Sequence, residues 1–263
     1  MITCKLKGGL GNMLFQVATT TALALDNQDQ AIFSFRNHHA GQGRSPTRYR
    51  TTIFRNLSET SWWLPQRRPK KRHSYAEKNF HYDPIPYQPH LKLEGYFQSE
   101  RYFAHYHAIL RQLFRPTDEQ KEYLAEEYGS LLGEMPTSLH VRRGDYAKLT
   151  DFHPTLTLDY YQRALEMVPP TAPVLVFSDE IDWCKETFKG SQFQFVSERN
   201  EELEIYLMSM CQNHIIANSS FSWWGAWLDG KSGGKVIAPI PWFGAAAKDH
   251  NTRDLVPDHW NRI

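Results

Sequence analysis

MITCKLKGGLGNMLFQVATTTALAL, residues Met1 to Leu25, opens the chain as a strand, a glycine turn and a helix. Ile2 to Lys7 alternates apolar and polar side chains, the period-2 pattern of a strand. Gly8 to Asn12 (GGLGN) breaks it. From Leu14 the apolar or small positions Val17, Ala18, Thr21, Ala22 and Leu25 recur at helical spacing and mark one buried face. AIFSF (Ala31 to Phe35) reads as the next strand, so the chain begins as an α/β unit. Lys5 and Lys7 before the apolar stretch Leu10–Leu25 imitate a signal peptide. Asn12, Gln16 and the Thr19–Thr21 run dilute that stretch, and we read it as part of the fold.

Arg36 to Pro89 is rich in Gly, Pro, Arg, His and Trp without a sustained period, the composition of a long specificity-bearing insertion. Leu91 to Phe97 then reads as a strand and Ser99 to Leu113 as a helix. Thr117 with Gln120 forms a capping box for another helix running to about Leu132. Pro116 and Pro136 bracket that helix, which gives an N-terminal lobe 1–116, a linker helix 117–136 and a C-terminal lobe 137–263. In the last, strands are expected at Ser138–Arg142, Pro173–Ser178, Phe193–Val196, His214–Asn218 and Lys235–Ala238. Helices are expected near Asp159–Val168, Ile181–Phe188, Glu201–Met210 and Ser220–Leu228. Short apolar strands alternating with helices mean a parallel sheet covered on both faces, with ligands beyond the carboxyl ends of its strands.

Composition narrows the function classes. Apolar residues at 41% and charged residues at 22% describe a folded globular chain of 263 residues. Three cysteines (Cys4, Cys184, Cys211), without any CxxC, exclude a disulfide scaffold and a zinc ribbon. No apolar stretch reaches the roughly 20 residues of a membrane helix. These features together suit the cytoplasm. Net charge is +1, but residues 1–116 carry seventeen Lys and Arg against seven acids, and the remainder thirteen against twenty-two. Either two lobes of opposite sign attract each other, or the basic half faces an anionic ligand or membrane surface. Gln66–His73 (QRRPKKRH) concentrates five of those charges, yet no nucleic-acid motif accompanies it, and none is expected as partner.

Every conspicuous polar motif follows an expected strand. In GGLGN, Gly9 and Gly11 either make a plain tight turn or let the backbone approach an anion at a helix N-terminus. The stretch is neither GxGxxG, since position 14 is Leu, nor a Walker loop. In HVRRGDY (His140 to Tyr146), adjacent Arg142 and Arg143 at a strand end point to opposite faces, and a guanidinium fork matches a phosphate. Asp145 either pairs with one of them or works on a substrate. NSSFSWWGAW (Asn218 to Trp227) places Ser219, Ser220 and Ser222 where a strand gives way to a helix. One serine suffices to cap it, and three resemble a phosphate cradle. Trp223, Trp224 and Trp227 fit a core, with sugar stacking by one of them the lesser reading. Asp179 in VFSDE either caps a helix or accepts hydrogen bonds from a base or ribose. The nearest acidic pair, Asp179 and Asp182, flanks a helix start, and no His/Asp/Glu cluster has metal-ligand spacing.

GGLGNMLFQ, LEGYFQSERYF, HVRRGDY, VFSDE and NSSFSWWGAW, in this order, resemble the α-1,2-fucosyltransferases of glycosyltransferase family 11. The match runs from Lys7 to about Phe243 and is weakest between Arg36 and Pro89. HxRRxD alone recurs in α-1,6- and protein O-fucosyltransferases, whereas the ordered set is specific. Met13 departs from the Gln of many relatives. The resemblance implies a GT-B fold, two Rossmann-like lobes whose parallel sheets face a cleft, with the nucleotide sugar bound mainly by the second. It implies an inverting transfer of fucose from GDP-β-L-fucose to O2 of a galactoside, with GDP-fucose and a glycan acceptor as partners, and neither cofactor nor metal. Arg142 would meet the β-phosphate, with Arg143 and Asp145 completing that motif. His140 and Asp179 would lie near guanine, Ser219 and Ser220 would hold phosphate, and Asn12 would reach phosphate or fucose. For the acceptor proton, Asp145 is the obvious carboxylate. A carbocation-like route with phosphate as proton acceptor stands beside it.

Overall fold

The computed structural model describes residues 1–35, 44–58, 73–144, 151–198 and 200–263. They form two compact units, Met1–Thr117 with Asn251–Pro257, and Asp118–His250 with Asp258–Ile263. The basic run Arg67–Arg72 and Asp145 lie outside the described residues.

The first unit contains β1 (Ile2–Cys4), α1 (Leu10–Asp26), β2 (Ala31–Phe33), β3 (His73–Ala76), β4 (Leu91–Glu94) and α2 (His107–Leu113). Its strands are parallel in the order β2-β1-β4-β3. The alternation at the N-terminus is as expected, with Ile2, Cys4 and Leu6 buried and Lys5 and Lys7 exposed. Helix α1 starts at Leu10, four residues before the apolar spacing suggests. Gly8, at φ +87°, turns the chain, and Gly9 in extended conformation caps the helix. The left-handed conformation therefore falls on Gly8 rather than on Gly9 or Gly11. Gln16, fully buried, accepts from the Lys7 amide at 3.0 Å and donates to the Gly95 carbonyl at 3.1 Å, which staples the end of β1 to the end of β4.

The helix expected over 99–113 is two three-residue 3-10 turns followed by α2. Aromatic anchoring overrides the periodicity. Tyr102 meets Phe97 edge-on at 5.6 Å, and Phe103 lies 5.9 Å from Phe15. Residues 251–257 belong to this unit because buried Asp254 accepts from the Tyr82 amide at 3.0 Å and pairs with Arg101 at 3.2 Å.

The second unit runs α3 (Asp118–Gly133), β5 (Thr137–Val141), α4 (Leu158–Glu166), β6 (Val174–Ser178), α5 (Ile181–Thr187), β7 (Phe193–Phe195), α6 (Glu201–Ser209), β8 (Asn213–Ile215), α7 (Ser220–Trp227), β9 (Val236–Ala238) and β10 (Asn261–Arg262). All six strands are parallel, in the order β10-β9-β8-β5-β6-β7. Strands β5, β6 and β8 are buried along their length save for half-buried Ser178; β6 is a near-continuous apolar run, while β5 and β8 carry buried polar residues among their apolar ones. Leu139, Val141, Val174, Val176 and Ile215 pack there with Tyr160, Tyr161 and Cys184 of the covering helices.

Helix α3, expected as a linker, packs on this unit: Gln120 donates to Glu202 of α6 at 3.2 Å, and the Tyr123 and Tyr128 hydroxyls both donate to Glu198 at 2.8 Å. Trp223, Trp224 and Trp227 are core residues, at most 5% exposed. A sealed chain links Ser138 Oγ to His214 Nδ1 (2.9 Å) and His214 Nε2 to Asp229 (3.1 Å). Ser138 and His214 are 3% and 1% exposed, so this Ser-His-Asp series braces β5 and β8 and meets no substrate. Among the described residues, no helix is long and apolar enough to cross a membrane.

Candidate active site

The strand order of the second unit fixes where a ligand fits. From β5 the chain builds outward through β6 and β7, then returns to build β8, β9 and β10 on the other side. The connections leaving β5 and β8 therefore diverge, and a crevice opens beyond their carboxyl ends. Arg142 to Gly144 lead out of β5 there, and NSSFSWW follows β8 there.

His140, the penultimate residue of β5, is 4% exposed. Its ring lies 5.6 Å from that of Phe221 in the first turn of α7, which joins the two sides of the crevice. Burial, with help from the Arg142 charge, lowers its pKa to about 3, so the imidazole stays neutral. Its Nδ1 is buried without a hydrogen-bond partner.

Arg142 and Arg143 diverge, as their alternation on a strand end requires. Arg142 Nη1 lies 3.2 Å from Asp179 Oδ2, and Asp179 Oδ1 accepts from the Arg143 amide at 3.1 Å. A Cβ at Gly144 would stand 2.9 Å from Asp179 Oδ2, so a side chain there would press on the carboxylate that holds Arg142. Arg143 turns towards α5, with Nε 3.2 Å from Glu180 and its guanidinium 4.0 Å over the Trp183 ring. The arginines are thus partnered by Asp179 and Glu180 among the described residues.

The serines separate by role. Ser219 caps α7, its Oγ accepting from the Phe221 amide at 3.3 Å. Ser222 is 1% exposed and turned inward, within 3.5 Å of the Ala217 and Ser219 carbonyls that it donates to. Ser220 is half-buried at the helix start. Asn218 donates to the carbonyls of Pro154 (3.0 Å) and Trp242 (3.1 Å), pinning two neighbouring loops.

Sequence reasoning missed Glu204, in the first turn of α6. Burial and then the charges of Glu201, Glu198 and Asp179 raise its pKa to about 8, against the opposing pull of Arg142. It missed Glu180 and Trp183 as well, although a lone Trp in the charged helix IDWCKET was a signal. Among the described residues, no group of three His, Cys, Asp or Glu is gathered that could hold a metal ion.

In the first unit, Gly9 and Gly11 lie at the start of α1, and Asn12 follows. Asn12 Oδ1 accepts from Gln98 Nε2 at 2.7 Å, and a Cβ on Gly8 would stand 2.6 Å from Asn12 Nδ2. Gln98 was not singled out by sequence reasoning; its place in LEGYFQ, whose Gly95 meets Gln16, was the available signal.

Two parallel α/β units, the second with its crevice at the strand-order reversal, define a GT-B glycosyltransferase fold. The family model described as glycosyl transferase family 11 matches residues 1–262, and the chain belongs to that family. An α-1,2-colitosyltransferase of Escherichia coli is 30% identical over 292 aligned positions, which cover 100% of this chain and 99% of that protein. Galactoside α-(1,2)-fucosyltransferase 2 of Oryctolagus cuniculus is 27% identical, over 88% of this chain and 67% of that one. Among solved structures, POFUT1 in complex with GDP-fucose superposes with a TM-score of 0.54 at 11% identity, covering 89% of this chain and 96% of that one, a likeness of fold.

Proposed function

We propose that this glycosyltransferase moves fucose from GDP-β-L-fucose to O2 of a galactoside, with inversion. The observation that carries the reading is the meeting of His140, Arg142 and the start of α7 at the strand-order reversal of the second unit. A neutral, unpaired imidazole suits a base edge, and Arg142 suits a phosphate that gains charge as the sugar leaves. Ser219 and Ser220 at the head of α7 add donors from hydroxyls and helix amides. Asp145 remains the proposed proton acceptor, with Arg143, Asp179 and Ser222 supporting the motif. Asn12, with Gly9 and Gly11 behind it, offers a further donor to phosphate or fucose. No metal is required by this scheme. The protein is proposed to work in the cytoplasm, where its basic run would favour acceptors on an anionic membrane face.

A second reading is favoured by full-length likeness to an α-1,2-colitosyltransferase. Colitose is fucose without its 3-hydroxyl, so the two donors differ by one hydrogen-bonding group. Donor-dependent GDP release, compared across GDP-fucose, GDP-colitose, GDP-mannose and UDP-galactose with a galactoside acceptor, separates the readings. Fastest release with GDP-fucose and an α-1,2 product by NMR is the expected result. Preference for GDP-colitose transfers the proposal to that sugar, and release with UDP-galactose alone overturns it.

A further inference from the structure

We propose that Glu77 is a positioning residue: its carboxylate grips the turn after β4 and so sets the Gln98 side chain that directs the Asn12 amide. This deepens the proposed function and rests on its reading of Asn12 as a donor to phosphate or fucose.

The first sheet runs β2-β1-β4-β3, so β1 and β4 are its central strands, paired at Cys4 and Leu93. Beyond the carboxyl ends of both, the backbone turns left-handed, at Gly8 (φ +87°) and at Phe97 (φ +56°). Glycine adopts that conformation freely, whereas a bulky residue there is an outlier. Phe97 is nevertheless fully buried, its ring stacked on Tyr75 at 6.4 Å and edge-on to Tyr102 at 5.6 Å. Strain of this kind persists only where the surroundings over-determine it, and it gathers where a side chain must be aimed.

Glu77, the residue after β3, supplies that constraint from one side. Its two oxygens accept from consecutive amides, Oε2 from Tyr96 at 2.7 Å and Oε1 from Phe97 at 2.8 Å. Its own amide donates to the Glu94 carbonyl at 2.8 Å, which extends the β3–β4 ladder to the clasp. A Cβ on Gly95 would stand 2.4 Å from Glu77 Cβ, so a side chain there would press on the carboxylate. Burial raises the Glu77 pKa against the opposing pull of the two amides and Lys7, the mark of a carboxylate that is desolvated as well as bonded. From the other side, Gln16 of α1 donates to the Gly95 carbonyl at 3.1 Å.

The grip leads directly to Asn12. The Ser99 amide donates to the Phe97 carbonyl at 2.8 Å, which folds the chain sharply at Gln98. Gln98, 9% exposed, then gives its amide N–H to Asn12 Oδ1 at 2.7 Å. Without both carboxylate bonds, Phe97 relaxes towards an ordinary conformation and carries Gln98 away from Asn12.

The test measures kcat and KM for the preferred of GDP-fucose and GDP-colitose, KM for a galactoside, and the melting temperature of each variant. Glu77→Gln keeps the shape but sets an amide NH2 against one backbone N–H. It should lower kcat/KM for the donor about tenfold, with the galactoside KM unchanged. Asn12→Ala should lose a similar factor, and the double variant no more than Asn12→Ala alone, because both act through one amide. Glu77→Asp keeps the charge but is one methylene shorter, and should fall between Glu77→Gln and the wild type. Wild-type kcat/KM in folded Glu77→Gln overturns the proposal, and so does a loss that persists undiminished in the Asn12→Ala background. Should Glu77→Gln melt far below the wild type, Glu77→Asp undergoes the same two comparisons and decides in its place. Asn12→Ala at the wild-type rate also overturns the proposal, while leaving the reaction itself standing. Wild-type protein that transfers neither fucose nor colitose refutes the functional reading instead, before any variant is compared.

Discussion

Arg142 Nη1 and Asp179 Oδ2 stand 3.2 Å apart, on residues 37 positions distant in sequence, at the carboxyl ends of neighbouring strands. In the proposed reaction, the guanidinium that this pair holds would meet the leaving diphosphate as it gains charge. A bidentate donor at such a place stabilises the transition state more than the ground state. Losing one preorganised donor typically costs ~10²–10³ in kcat. Arg142→Ala should therefore lose about that factor, and Arg142→Lys, which keeps the charge without the planar fork, should remain severely impaired. GDP affinity should fall less than kcat, because His140 and the serines are untouched. Kinetics, calorimetry and melting temperature measured together on both variants check this. Near-normal turnover in either folded variant defeats the assignment.

Gln98 holds the oxygen of the Asn12 amide at 2.7 Å, which directs the amide nitrogen away as a donor. Gln98→Glu exchanges a donor for an acceptor, so the Asn12 amide should flip and present its oxygen. Against a phosphate or hydroxyl acceptor, that should lower kcat/KM for the donor about tenfold or more. Gln98→Ala should cost less, and Gln98→Glu should add nothing once Asn12 is alanine. A Gln98→Glu loss of equal size in the Asn12→Ala background would place Gln98 outside this role.

The second sheet was legible because runs such as 174–177 (VLVF) are apolar and buried and its helices carry regular faces; the five expected strands and the helices fall within a few residues of expectation, while β10 (Asn261–Arg262) was not expected. The first half was less so. Helix α1 begins early because glycine conformations, invisible to apolar spacing, turn the chain at Gly8. Strand β3 (HSYA) is short and half-exposed, and the 99–113 stretch follows rings rather than a period. Arg142, His140 and the serines announced themselves as polar residues at strand ends. Their partners did not: nothing in the sequence tells that Asp179 serves Arg142 or that Trp183 serves Arg143, because only the β5–β6 pairing brings them together. Ser222 looked like a ligand-binding hydroxyl and is turned to backbone carbonyls instead.

Chelation tests the scheme independently. In the proposed reaction the charge on the departing diphosphate would be met by Arg142 and the head of α7, so transfer should persist in excess EDTA. Initial rates with and without chelator, on protein first dialysed against it, give the answer. Activity lost to EDTA and restored by Mn²⁺ or Mg²⁺ would contradict the scheme.

Two kinds of buried group pull stability in opposite directions with pH. His140, lowered to about 3 by burial and Arg142, folds as a neutral imidazole, and His214 is lowered in the same direction by burial against the raising pull of Asp229. Their contribution is complete above the unfolded histidine value near 6.5 and is lost as pH falls below it, because only the unfolded chain takes up the protons. Glu204 behaves in the reverse sense. With its pKa raised to about 8 by burial and then by Glu201, Glu198 and Asp179, it folds as a neutral acid. Its contribution is complete below the unfolded value of roughly 4.5 and is lost as pH rises through 8. Between pH 5 and 6.5 one histidine and Glu204 therefore offset each other. Glu204→Gln mimics the neutral acid and removes its titration. It should stabilise the protein at pH 8.5 by on the order of 2 kcal/mol, a melting shift of several degrees, with little change at pH 5. Below pH 6.5 the variant should lose stability more steeply than the wild type, since the histidines are no longer offset. Melting temperatures of both proteins at pH 5, 6.5 and 8.5 test this, and parallel curves across that range would show that Glu204 does not fold as a neutral acid.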